Sequence, residues 1–240
     1  MDRGSLVVAV VLFAAVPTAR AAHPLITEDT GTLGTGNQQL EVNVNRFDFT
    51  ESRWQSLWGV TWGYGVRENA DLQIGIPYFE GLGKGDLAVD FKWRFWQGDK
   101  LSFGTKPGFT LPTGDETERI GTGEKTYGAL LFFSYEPEAW ALHGQAGYRR
   151  FENVLDLRKD IWQYSGSFWL KPMTGLKLVS DLAVATDPRV EASTWIRTFI
   201  LGAIYSPLKH VDVDAGIRWD RAYDSGASSR AYLVGLTYRW

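Results

Sequence analysis

The chain carries three histidines, His23, His143 and His210, and no cysteine. Thiolate metal sites, cysteine nucleophiles and disulfides are therefore closed to it. A serine–histidine pair working on lipid would have to stand on an apolar, bilayer-facing surface. His143 lies on the polar parity of its segment, His210 in a short turn, and His23 ahead of the first patterned segment. No catalytic residue is expected. The acidic run Asp115, Glu116, Glu118 and Glu124 offers oxygen ligands for Ca²⁺, but without the spacing of a calcium loop it reads as a solvated face. "GTLGTG", Gly31 to Gly36, looks like a phosphate loop only superficially, because no helical pattern follows it. No metal and no cofactor are expected.

What remains is charge on every second residue. In "LAVDFKWRFW" one parity reads Leu87, Val89, Phe91, Trp93 and Phe95, and the other Ala88, Asp90, Lys92, Arg94 and Trp96. A period of two is a strand with unlike faces. In a soluble sheet the apolar face turns inward; in a membrane barrel it meets lipid and the charges line the lumen. The lumen-lining polar set is then Asp90, Lys92, Arg94, Lys106, His143, Arg149, Lys177, Asp181, Asp212, Asp214, Arg218 and Arg239. Its signs are mixed, so strong ion selectivity is not expected, and pairing across the lumen accounts for most of it. Part of the same face is apolar: Leu130, Phe132, Val179, Ile196, Ile200 and Ile204. That wall reads equally as a path for a hydrophobic solute and as packing for a plug, such as the N-terminal "AHPLITEDTGTLGTG". Arg197 falls on the lipid-facing parity beside Trp195, where a long cationic side chain can snorkel to the interface.

These residues need strands to position them, and the alternation recurs along the chain. Twelve segments are predicted: 37–49, 54–67, 70–79, 85–97, 100–111, 125–136, 139–151, 160–171, 175–186, 193–206, 210–221 and 229–240. Connections after even-numbered segments are short, such as "RENA" and "QGDK"; most of the others are longer, up to "PTGDETERIGTGEKT". Short turns at one end and long loops at the other form the outer-membrane barrel pattern. Aromatics gather toward segment ends, with Trp54, Tyr78, Trp162, Trp195 and Tyr232 at the loop end and Tyr64, Tyr135, Trp140, Tyr205 and Tyr238 at the turn end. Pro77 and Pro107 fall inside segments, so a bulge or a strand end is expected near each. The last segment, "AYLVGLTYRW", puts Tyr238 and Trp240 on its apolar face, like the carboxy-terminal assembly signal of outer-membrane barrels. At the other end, residues 1–21 combine Arg3, an apolar run from Leu6 to Val16 and Ala19-Arg20-Ala21, the pattern of a secretory signal peptide. A net charge of −3 over 240 residues gives nucleic acid no electrostatic reason to bind.

Two stretches resemble a known family. "HPLITEDTGTLGTGNQQLEV", His23 to Val42, is similar to the mature N-terminus of outer-membrane proteins associated with the meta-cleavage pathway of phenol degradation. "PGFTLPTGDE", Pro107 to Glu116, resembles the same family's mid-chain strand and loop. With the closing strand, the likeness spans essentially the whole mature chain. It implies a barrel that admits hydrophobic or aromatic compounds, and it supplies no catalytic residues.

The expected organisation is a signal peptide over 1–21, a periplasmic or lumen segment over 22–36, and a barrel over 37–240. The expected fold is all-β: a transmembrane antiparallel up-and-down β-barrel of about 12 strands, with both termini periplasmic. Twelve strands lie between the eight that side chains fill and the 16–18 that leave an open channel. The expected function is passive uptake of small solutes across a Gram-negative outer membrane. The alternatives are a closed barrel with a structural or lipid-modifying role and a soluble periplasmic β-barrel that binds a ligand. Expected partners are outer-membrane lipid, a small-molecule solute and the barrel-assembly machinery.

Overall fold

The computed structural model describes residues 23–49, 55–192, 195–223 and 226–240. The expected signal peptide and Trp54 lie outside the described residues.

Twelve long strands form one sheet: β1 Gln38–Phe49, β2 Gln55–Arg67, β3 Ala70–Phe79, β4 Leu87–Gln97, β5 Leu101–Leu111, β6 Thr126–Tyr135, β7 Trp140–Arg150, β8 Asp160–Met173, β9 Leu176–Thr186, β10 Trp195–Leu208, β11 Val211–Ala222 and β12 Ser228–Arg239. Each strand pairs antiparallel with its neighbour in sequence, and β1 pairs with both β2 and β12, so the sheet closes. Closure leaves no free edge, which is the condition for crossing a bilayer with strands. Gly83–Lys84 adds a two-residue ladder to the end of β3.

The direction of the alternation is settled in β4. Phe91, Trp93 and Phe95 are 41, 44 and 46 % exposed, while Asp90 and Lys92 are 8 and 5 % exposed. Apolar side chains face out and charges face in, the reverse of a soluble barrel. Trp96 departs from the expected parity and is 47 % exposed. The β4–β5 register slips between Arg94 and Trp96, and the extra residue turns Trp96 outward beside Phe103, ring centroids 5.6 Å apart. A bulge inserts one residue and so reverses the facing of those beyond it.

Both prolines mark interruptions. The β3–β4 ladder stops at Gly75↔Ala88, and β3 resumes pairing at Tyr78 with Lys84, leaving Pro77 between. The β4–β5 ladder lapses between Asp90↔Gly108 and Trp93↔Thr105, where Pro107 sits. Proline has no N–H to donate, so each strand places it where no donor is required. The described girdle aromatics named above all point outward and are exposed.

The long loop after β5 folds back toward the barrel mouth. Asp86 holds it, accepting from the N–H of Gly114 (2.9 Å) and from the N–H (2.9 Å) and hydroxyl (2.7 Å) of Thr122. Ile120 is thereby buried in the interior apolar cluster with Phe47, Leu57 and Phe79.

Candidate functional site

The lumen is occupied by the chain's own N-terminal segment. Residues 23–37 thread across the interior and bond in turn to almost every wall strand. His23 meets Asp214 of β11 at 2.5 Å and Asn45 of β1 at 3.3 Å. The N–H groups of Ile26 and Thr27 both donate to Asp181 of β9 at 2.7 Å, and the Thr27 hydroxyl donates to the same carboxylate at 2.8 Å. The N–H of Glu28 donates to Gln145 of β7 (2.8 Å), and that of Thr30 to Ser134 of β6 (2.9 Å). The N–H of Leu33 donates to Asp71 of β3 at 3.0 Å. An extended segment carries unpaired backbone donors, and a buried donor without a partner is costly. The inward carboxylates, amides and hydroxyls supply those partners, so the polar inner face holds the segment much as a neighbouring strand would.

Charge fixes its centre. Lys92 donates to Glu28 at 2.9 Å and to Asp29 at 3.2 Å, and Lys106 donates to the other oxygen of Glu28. Arg94 adds a bond to the carbonyl of Thr30 at 3.3 Å. Burial opposes the charge on Asp29, but the cations around it, Lys92 first, then His143 and Lys177, hold its carboxyl well below the usual carboxylate range. Where the segment leaves the lumen, the N–H of Gly36 donates to the Gly65 carbonyl (2.8 Å) and that of Gly65 to the Asn37 carbonyl (2.9 Å). A Cβ on Gly65 would collide with the Gly34 carbonyl, so this close approach needs glycine. Asp71, Ser102 and Ser134, which touch the segment, each lie one residue in from a short turn, so the segment sits toward the short-turn end.

The apolar wall is covered. Val179, Ile200 and Ile204 form one buried cluster with Leu25 of the segment, and Ile26 packs against it. Pro24 rests over Gly202 and Gly216, where Cβ atoms would stand 2.9 and 3.2 Å from its ring. Ile196 is buried, and Leu130 and Phe132 form a separate cluster on β6.

The other expected polar residues also face inward, not all toward the segment. Asp90 is buried over Gly108. Arg218 donates to Asp220 at 2.9 Å, and Arg239 pairs with Asp212 at 2.7 Å. Arg149 is half-buried. Lys177 stands 4.7 Å over the ring of Trp169. His143 and Ser134 are joined at 2.8 Å, a serine–histidine pair that is buried in the lumen and turned away from lipid. Tyr238 and Trp240 stack outside at 5.6 Å. Among the described residues no group of three or more His, Asp or Glu side chains is arranged to hold a metal. Asp115 instead caps a turn, and bonds from Thr117 and Glu118 keep its carboxyl below the usual range.

Sequence reasoning passed over Thr27, Glu28, Asp29 and Thr30, because residues outside a strand have no parity to read. The available signal was two acids beside an excess of inward lysines. Trp169 was also missed, an aromatic on the polar parity of β8. Between segment and wall a cavity of about 210 Å³ remains, bordered by Asp29, Thr32, Glu41, Asp71, Lys177 and Arg239.

Solved structures of this fold include three outer-membrane barrels. An outer membrane channel from Pseudomonas putida F1 matches with a TM-score of 0.65 at 14 % identity, over 88 % of this chain and 98 % of its own. The NanC porin matches with a TM-score of 0.59 at 9 % identity and the KdgM porin with 0.56 at 11 %, each over 83 % of this chain and 98 % of its own. A search of curated proteins finds no match. The family described as "Putative MetA-pathway of phenol degradation" matches residues 21–240. That match spans the whole barrel, and the chain belongs to the family so described.

Proposed function

We propose that the protein is a passive outer-membrane channel for small solutes, hydrophobic or aromatic compounds among them, closed at rest by residues 23–36. Both termini and the short turns face the periplasm, and the long loops face outward. The observation that carries this reading is how the lumen is closed. A barrel shut by its own wall needs no separate occupant. Here Lys92, Lys106, Asp71, Asp181 and Asp214 are all partnered by one segment. Such a segment is removable without breaking a strand ladder. The family's link to phenol degradation supports an aromatic solute, and the apolar wall behind Leu25 would be exposed to it once the segment leaves. Tyr238 and Trp240 serve as the signal read by the barrel-assembly machinery.

Planar-bilayer conductance and liposome flux of phenol test this reading on the intact mature chain and on a variant lacking residues 23–36. Small or intermittent conductance is expected from the first and larger, steady conductance with phenol flux from the second. Absence of conductance and flux from both overturns the channel, and recovery in the soluble periplasm without detergent overturns the membrane placement.

A further inference from the structure

Three arginines stand on the outer surface of adjacent strands near the long-loop end: Arg197 on β10, Arg221 on β11 and Arg230 on β12. Arg197 and Arg221 are opposite one another in the β10–β11 register, and Arg230 is opposite Trp219, the next outward residue along β11. All three are exposed. They border a groove of about 900 Å³ whose apolar surface is built from Tyr164, Leu182, Val184, Phe199 and Trp219. The ladders beneath it run without interruption from Leu176 to Thr186 and from Ile196 to Tyr205. The groove is thus a feature of the outer face and not a way into the lumen.

Charge balance sets this patch apart. Arg150, another arginine at the long-loop end, is neutralised by Glu152 at 2.7 Å and Asp160 at 3.0 Å. Among the described residues, Arg197, Arg221 and Arg230 have no ion-pair partner; Arg197 only rests over the Tyr223 ring at 5.2 Å. Of the two acids in the groove lining, Asp220 is buried and paired with Arg218 on the lumen side, and Asp48 faces Arg230 in register without pairing with it. A cationic cluster beside an aromatic belt lies at the depth of lipid headgroups. Guanidinium forks match phosphate oxygens in geometry as well as charge. Neighbouring strands are about 4.8 Å apart, so three of them span more than a single phosphate and suit a larger, phosphate-bearing sugar headgroup.

We infer that this patch binds a phosphorylated, acylated glycolipid of the outer leaflet, with Arg197, Arg221 and Arg230 on its phosphate and an acyl chain along Leu182, Val184 and Phe199. The inference rests on the proposed outward placement of the long loops.

Native mass spectrometry of the folded, detergent-purified full barrel tests it, with diphosphorylated lipid A and its dephosphorylated form as probes. The wild type should retain the phosphorylated form at least tenfold better. The combined Arg197→Gln, Arg221→Gln and Arg230→Gln variant should lose that preference, and Arg150→Gln should keep it. Heat-modifiable gel migration checks that each variant is closed; if the triple variant is not, the three single variants are read instead, and each should weaken retention. Equal retention by wild type and variants, equal retention of the two lipids, or displacement by millimolar inorganic phosphate overturns the inference. Fractionation of the wild type separates the two readings. A soluble periplasmic protein overturns the membrane placement, whereas an outer-membrane barrel indifferent to lipid phosphate overturns only the glycolipid site.

Discussion

Lys92 donates to Glu28 at 2.9 Å across 64 residues of sequence, with both side chains almost fully buried. Lys106 holds the other carboxylate oxygen, so Glu28 bridges two wall lysines, and Asp29 on Lys92 supplies the second negative charge. Removing one partner of a buried pair costs about 3–5 kcal/mol, because the remaining charge is left uncompensated. With tenfold per 1.4 kcal/mol, that shifts occupancy of the lumen by roughly two to three and a half orders of magnitude. Glu28→Gln should therefore raise the open probability steeply in single-channel recordings while the barrel still closes on a heat-modifiability gel. An unchanged open probability would remove the ion pair from the closing mechanism.

Gly65 isolates the exit of the segment. The three atoms nearest a Cβ there all belong to Gly34 of the segment, so Gly65→Ala acts first on the segment. The expected result is faster proteolytic cleavage within residues 23–36 and a larger conductance. Unfolding in denaturant should move by less than about 1 kcal/mol, the scale of glycine-to-alanine backbone effects.

Asp29 provides a test in pH. Against the opposing effect of burial, its folded-state carboxyl is held far below the unfolded value of about 3.9, chiefly by the permanently charged Lys92 and Lys177. A depressed value contributes stability that is fully present above the unfolded value and is lost as pH falls through the folded one. Asp29→Asn should therefore open more than wild type by a severalfold margin that stays constant from pH 8 to about 5. The margin should shrink only in stronger acid. Because the comparison is a difference, other carboxylates titrating in both proteins cancel. A margin already vanishing near pH 6 would contradict the lowered carboxyl.

Much of this barrel is visible in its sequence because a lipid-facing strand repeats one decision at every second residue. Asp90, Lys92, Phe91 and Trp93 report their facing individually, and the twelve segments follow from that. Trp96 does not, since its side is set by a register slip against Phe103, a property of two strands together. The contacts of residues 23–37 were hidden for a related reason. Glu28 and Lys106 are 78 positions apart, and nothing local in either stretch names the other. The apolar wall of Val179, Ile200 and Ile204 left solute and plug as equal readings, and Leu25 packed on it is a fact of tertiary structure alone.

The facing of β4 gives the most direct check on the membrane assignment, because adjacent residues should respond oppositely to charge. Phe91 projects outward near the middle of its strand, and Lys92 projects inward to Glu28. An arginine at the lipid-facing midplane of a barrel costs about 2–4 kcal/mol, so Phe91→Arg should destabilise the folded state by that amount in a urea titration in phosphatidylcholine liposomes. In a soluble barrel the same substitution would place a charge in water at almost no cost. Lys92→Arg keeps the inward charge, so it should leave barrel stability within about 1 kcal/mol and act on the segment instead, through the altered fit to Glu28 and Asp29. A Phe91→Arg protein as stable as wild type would mean that this face does not meet lipid, and the outer-membrane placement would fall with it.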